Sequence, residues 1–135
     1  NIEKAIELYT KAAERGNSSA QINLALLYKN GEKNPQNNEK YIYYLTKAAD
    51  QGDSSAQNSL AILYEDGELV PQDIEKALEL YAKASEKGNS SAQFNLAFLY
   101  AKGEKVPQDI EKALELYTKA LLSDASVIAN DFVTP

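Results

Sequence analysis

The 135-residue chain has no cysteine, histidine, methionine or tryptophan. Without cysteine it has neither a disulfide framework nor a thiolate nucleophile. Without histidine as well, zinc sites, Ser-His and Cys-His catalytic pairs and imidazole proton shuttles are excluded within this chain. No metal, no cofactor and no enzymatic activity are expected. No apolar run approaches the roughly 18 residues of a membrane span, so membrane insertion is not expected. Positive charge is the minority, 14 Lys and Arg against 20 Asp and Glu, for a net charge of −6. A phosphate-tracking surface would work against that field, so nucleic acid is not an expected partner. The sequence carries no targeting signal; compartment stays open, and the absence of cysteine is compatible with the cytoplasm.

What the chain does have is repetition. Gly31, Gly67 and Gly103 stand 36 residues apart (67 − 31 = 103 − 67 = 36), as do Pro35, Pro71 and Pro107, and Tyr28, Tyr64 and Tyr100. Gly16, Gly52 and Gly88 repeat on the same period. A fixed period of this size marks a solenoid, in which each unit buries its apolar face only against its neighbours. The spacing divides the chain into residues 1–17, the second helix of a truncated unit; three full units at 18–53, 54–89 and 90–125; and a C-terminal cap or tail at 126–135. Asn1 enters midway through a unit, which reads as a piece of a longer chain.

Each full unit predicts two helices. The first begins at Ser18, Ser54 or Ser90, with Gln21, Gln57 or Gln93 three residues on, the Ser-x-x-Gln pattern of a capping box. It carries apolar residues at Ala20, Leu24 and Leu27 beside Tyr28, and ends at Gly31, where a left-handed cap is expected. The second helix starts behind Asn37, Asp73 or Asp109 as N-cap and turns Ala77, Leu80, Tyr81 and Ala84 inward. Small Ala61 and Ala77 on opposite helices allow a close approach. Glu7 and Lys11, Glu79 and Lys83, and Glu115 and Lys119 are i,i+4 pairs in the favourable order, each contributing a few tenths of a kcal/mol. Periodic charge of this kind marks a solvated outer face rather than acid–base chemistry.

These residues carry a resemblance. The pattern A-x-x-x-L-A-x-x-Y-x-x-G-E-x-V-P-Q-D-I-E-K-A-L-E-L-Y-x-K-A-x-x-x-G resembles the Sel1-like repeat, a relative of the tetratricopeptide repeat, over residues 1 to about 122. The resemblance implies an all-α, right-handed superhelical solenoid of antiparallel helix pairs, with the first helices lining the concave side, and a role as adaptor or scaffold in protein assemblies. Ala25, Ala61 and Ala97 stand where the family often has Gly, and Lys33, Leu69 and Lys105 where it often has a second loop Gly. The family's cysteine-rich branch, and the penicillin-binding activity ascribed to it, do not transfer to a chain without cysteine.

Repeats are informative about binding where they disagree. At about 100° per residue, Leu24, Ala20 and Leu27 fall on one side of the first helix and Ile22, Leu26, Lys29 and Asn23 on the other. That second side reads Ile22 and Leu26, then Asn58 and Ile62, then Phe94 and Phe98. If the first helices line a groove, Ile62, Phe94 and Phe98 give it an apolar floor, and Asn23, Ser59 and Asn95 offer polar groups to an extended peptide backbone. Ile22, Asn23, Leu26, Ser59, Ile62, Phe94, Asn95 and Phe98 are therefore the candidate partner-binding residues. The alternative is that they pad contacts between adjacent first helices. A carboxylate clamp of the kind some tetratricopeptide domains use needs a basic residue where Ser19, Ser55 and Ser91 stand, which disfavours that ligand class.

The first full unit exchanges a large and a small side chain by one turn: Tyr41 replaces Ala77 and Leu45 replaces Tyr81 of the next unit, a roughly volume-conserving repacking. Tyr43 replaces Glu79 and is expected outside. After Asp124, which stands in place of the repeat's Gly, the pattern breaks; a short capping helix or a loose tail is expected. The reading is a protein-interaction scaffold that binds a peptide or partner surface in its concave groove. Its alternative is a structural spacer with no ligand of its own. Self-association through the C-terminal tail or exposed repeat ends is a further expectation.

Overall fold

The computed structural model describes the backbone of residues 1–133 and the side chains as far as Ser123. Seven helices and no strands are present among the described residues: α1 (Ile2–Glu14), α2 (Ser18–Asn30), α3 (Pro35–Asp50), α4 (Ser54–Asp66), α5 (Ile74–Glu86), α6 (Ser90–Lys102) and α7 (Ile110–Val133). Packing runs mainly between neighbours in the chain, from α1 against α2 to α6 against α7. An all-α repeat solenoid results. Its core is a row of small and large side chains rather than a central mass. Ala61 and Ala77 are fully buried opposite each other, with Leu60, Tyr81 and Ala84 around them. A smaller cluster of Ala13, Ala20 and Leu24 joins α1 to α2.

The first helices are capped differently from the sequence expectation. Their N-caps are Asn17, Asp53 and Asn89, whose side chains accept from the backbone N–H of Ala20, Ala56 and Ala92 at 2.8–2.9 Å. Ser18, Ser54 and Ser90 are thus the first helical residues. That shift puts each Gln one position beyond the place from which a capping box reaches back. The glutamines turn to the preceding helix instead. Gln21, Gln57 and Gln93 are buried, and their Nε2 groups donate to the carbonyls of Ala13, Ala49 and Ser85 at 3.0, 3.2 and 3.0 Å. Those carbonyls belong to the last turn of α1, α3 and α5, where each also accepts from the backbone N–H of Gly16, Gly52 or Gly88.

The first unit's loop also departs from the other two. Gly67 and Gly103 adopt the left-handed conformation with φ of 72° and 69°, but Gly31 is extended, with φ −79° and ψ −165°. The N-cap of α3 is Asn34 and not Asn37. Where the other units have Val70 and Val106, which cannot cap, Asn34 accepts from the Asn37 N–H at 2.8 Å, and Pro35 suits the first helical position. α3 is consequently 16 residues long against 13 for α5. At the other end, no break occurs at Asp124: α7 runs on to Val133, in place of a separate short cap or a loose tail. Without a glycine at 124, nothing local stops the helix. Residues 134–135, and the side chains beyond Ser123 that the capping expectation invoked, lie outside the described residues.

Tyr41 and Leu45 are both buried, so the one-turn exchange is accommodated in the core. Tyr43 is 55% exposed, with Lys47 Nζ 5.0 Å from its ring centre. The ion pairs Glu7–Lys11 and Glu79–Lys83 close at 3.4 and 3.3 Å on the outer face.

Candidate functional site

The repeat places one side chain of each first helix on the same edge: Leu26, Ile62 and Phe98, 36 residues apart. All three are exposed, at 47, 37 and 55%. Each lines a recess in the surface. The recess at Leu26, between α1 and α2, has a volume of about 730 Å³ and includes Asn23, Ile2 and Tyr9. The recess at Ile62, bounded by α2, α3 and α4, measures about 270 Å³ and includes Ser59, Tyr41 and Lys29. The recess at Phe98 measures about 50 Å³ and is lined by Glu65, Leu99 and Lys105 among others. The recess at Phe98 is thus nearly closed where its counterpart at Ile62, one period earlier, is open.

The other candidate residues divide between binding geometry and packing. Asn23 is exposed, and Ser59 is half-buried at the recess wall. Ile22 is half-buried against the main core. Phe94 is half-buried too, its ring centre 6.1 Å from that of Tyr117. Asn95 donates from Nδ2 to Asn58 Oδ1 at 3.1 Å, which ties α6 to α4. Leu26, Ile62 and Phe98 with Asn23 and Ser59 therefore remain presented to solvent, whereas Ile22, Phe94 and Asn95 serve contacts between helices. Lys102 Nζ lies 5.5 Å from the Phe98 ring centre, so the exposed aromatic carries a cation over its face.

Sequence reasoning did not single out the group that closes the third recess. Glu65 Oε1 accepts from the Tyr81 hydroxyl at 2.7 Å, and Glu65 Oε2 accepts from Lys105 Nζ at 2.9 Å. Burial pushes the Tyr81 phenol well above its usual range, and the hydrogen bond to Glu65 and the charges of Glu65 and Asp66 push it the same way. The signal was present as three positions, 65, 81 and 105, that vary between units. Their proximity depends on how one unit turns onto the next. No His, Cys, Asp or Glu cluster able to hold a metal exists among the described residues, nor any helix long and apolar enough to cross a membrane.

The family model for the Sel1 repeat matches residues 1–17, 18–53, 54–89 and 90–123. The chain belongs to the Sel1 repeat family. Solved Sel1-type structures share its fold. A Sel1 repeat protein from Oxalobacter formigenes is 31% identical with a TM-score of 0.80, over 91% of this chain and 50% of that one. A protective antigen of uropathogenic Escherichia coli displaying an SLR fold is 34% identical with a TM-score of 0.77, over 94% of this chain and 28% of that one. The chain thus spans half or less of the length of these two relatives. Helicobacter pylori cysteine rich protein B is 28% identical with a TM-score of 0.67, over 93% of this chain and 92% of that one. No match was found among curated proteins. Sel1 repeats are generally protein-interaction modules and typically non-enzymatic.

Proposed function

We propose that this Sel1 array is a scaffold that binds a peptide segment or partner surface across the concave face built by its first helices. The observation that carries the reading is the line of Leu26, Ile62 and Phe98. A position that the repeat does not need for its fold stays apolar and solvent-exposed in every unit, beside a recess. Exposed apolar side chains that recur beside recesses support an interaction surface. Asn23 and Ser59 supply polar groups next to it. Partner capture by immobilised wild-type protein, set against an Ile62→Asp, Phe98→Asp variant of equal helicity, tests the reading. Partners held only by the wild type support it, and identical partner sets contradict it.

A spacer role is the second reading, favoured by the Asn95–Asn58 bond and the Phe94–Tyr117 contact, which spend part of this face on internal packing. Empty partner sets for both proteins would select it.

A further inference from the structure

The recess at Ile62 and the recess at Phe98 are the same place one period apart, and they are finished in opposite ways. At the second junction Glu65 holds the Tyr81 hydroxyl and the Lys105 ammonium, and only about 50 Å³ remains open. One period earlier Lys29 stands for Glu65, Leu45 for Tyr81 and Leu69 for Lys105. None of the three closing partners survives, and about 270 Å³ is open. The missing phenol returns one turn earlier as Tyr41, whose ring centre lies 6.0 Å from Lys29 Nζ. The lining combines that cation with Ile62, Leu63 and Leu69 and with the hydroxyl of Ser59; no Asp or Glu lines it. Lys33, whose ammonium donates to the Lys29 carbonyl, adds a second positive charge. A further cavity of about 180 Å³ shares Lys29, Tyr41 and Ser59 and extends the recess toward Leu26.

We infer that this recess is a subsite for an acidic side chain of the bound peptide, an Asp or Glu whose neighbour in the peptide is aliphatic. The inference deepens the peptide-binding reading and rests on it. A carboxylate arriving at Lys29 restores the charge pairing that the fold itself makes at Glu65–Lys105, and an apolar neighbour covers Ile62 and Leu69. Charge-assisted hydrogen bonds are about twice as strong as neutral ones, which favours Glu over Gln in this place. The cation here sits in the last turn of α2, and Ser55, which shares the further cavity with it, is not the second cation that a carboxylate clamp needs. A terminal carboxylate is therefore not what the geometry selects.

The test is a titration of the ¹⁵N-labelled chain with N-acetyl-Leu-Glu-Leu-amide, its Leu-Gln-Leu counterpart, and N-acetyl-Leu-Leu with a free C-terminus. The glutamate peptide should shift the amides of Lys29, Tyr41, Ser59 and Leu69 saturably, about tenfold more tightly than the glutamine peptide, and added salt should weaken it. The Lys29→Glu, Leu69→Lys variant rebuilds the ion pair of the next junction; it should keep a dispersed spectrum and lose those shifts. Equal affinity for glutamate and glutamine peptides, shifts that persist in the double variant, or binding by the free terminus alone would each overturn the assignment. If partner capture is abolished by Ile62→Asp, Phe98→Asp but retained by Lys29→Glu, Leu69→Lys, the subsite falls and the peptide-binding reading stands. Capture indifferent to both variants removes both.

Discussion

Two glycines that look equivalent in the sequence do different work. A Cβ added at Gly67 would lie 2.7 Å from Gln72 Cβ in a left-handed backbone, whereas one at Gly31 would meet the Leu27 carbonyl, the Asn37 amide and the Tyr28 carbonyl, at 3.2, 3.4 and 3.8 Å, in an extended one. Gly67→Ala is expected to cost about 1–2 kcal/mol, read from urea denaturation midpoints, and Gly31→Ala less than half as much. Tyr81 gives a residue-scale prediction in pH. Its phenol ionises less readily folded than unfolded, first because it is buried and then because it donates a hydrogen bond to the Glu65 carboxylate. Stability from this group is therefore complete below the unfolded phenol's ordinary pKa of about 10 and is lost as pH rises past it. Tyr81→Phe should flatten the alkaline fall in melting temperature between about pH 10 and 12. Tyr41 and Tyr44, also raised by burial, would retain part of the slope. An unchanged slope would remove Tyr81 as its source.

At the scale of the helix, the buried glutamines show how units are joined. Each donates to the last turn of the preceding helix, so Gln57→Ala removes one of the two hydrogen bonds to the Ala49 carbonyl and leaves the one from the Gly52 N–H. A loss of about 1 kcal/mol is expected in chemical denaturation, against less than about 0.5 kcal/mol for the exposed Gln36→Ala control. The exchange of Tyr41 and Leu45 yields a cycle. Tyr41→Ala should cost about 3 kcal/mol, and adding Leu45→Tyr should recover most of it; simple additivity would contradict the repacking. Helix existence and period were legible in the sequence because they depend on local pattern, the Gly, Pro and Tyr series and the inward Ala77, Leu80 and Tyr81. Caps were less legible. Asn17 and Ser18 are both competent N-caps by chemistry, and the choice between them follows from where the preceding helix ends. Asn34 was hidden because the other units carry Val70 and Val106 in its place.

For the whole molecule, the solenoid converts one 36-residue unit into a line of equivalent recesses, with sequence divergence free to tune each of them. Shared positions such as Ala56, Leu60 and Ala61 are committed to the core, which leaves Leu26, Ile62 and Phe98 available for contact. The candidate site was half legible. The exposed apolar line follows from helical spacing, but the inward use of Phe94 and Asn95 and the opposite closure of two neighbouring recesses arise only when units stack. Substitutions on the line should accordingly spare the fold: Phe98→Asp is expected to shift the melting midpoint little, within about 0.5 kcal/mol, as for other surface positions. The most direct test of the scaffold reading is photo-cross-linking, with a benzophenone side chain placed at Phe98 or, on the exposed side of α7, at Leu114. Cross-links to a partner from position 98 and none from 114 are predicted; cross-links from 114 with none from 98 would contradict binding through the first helices.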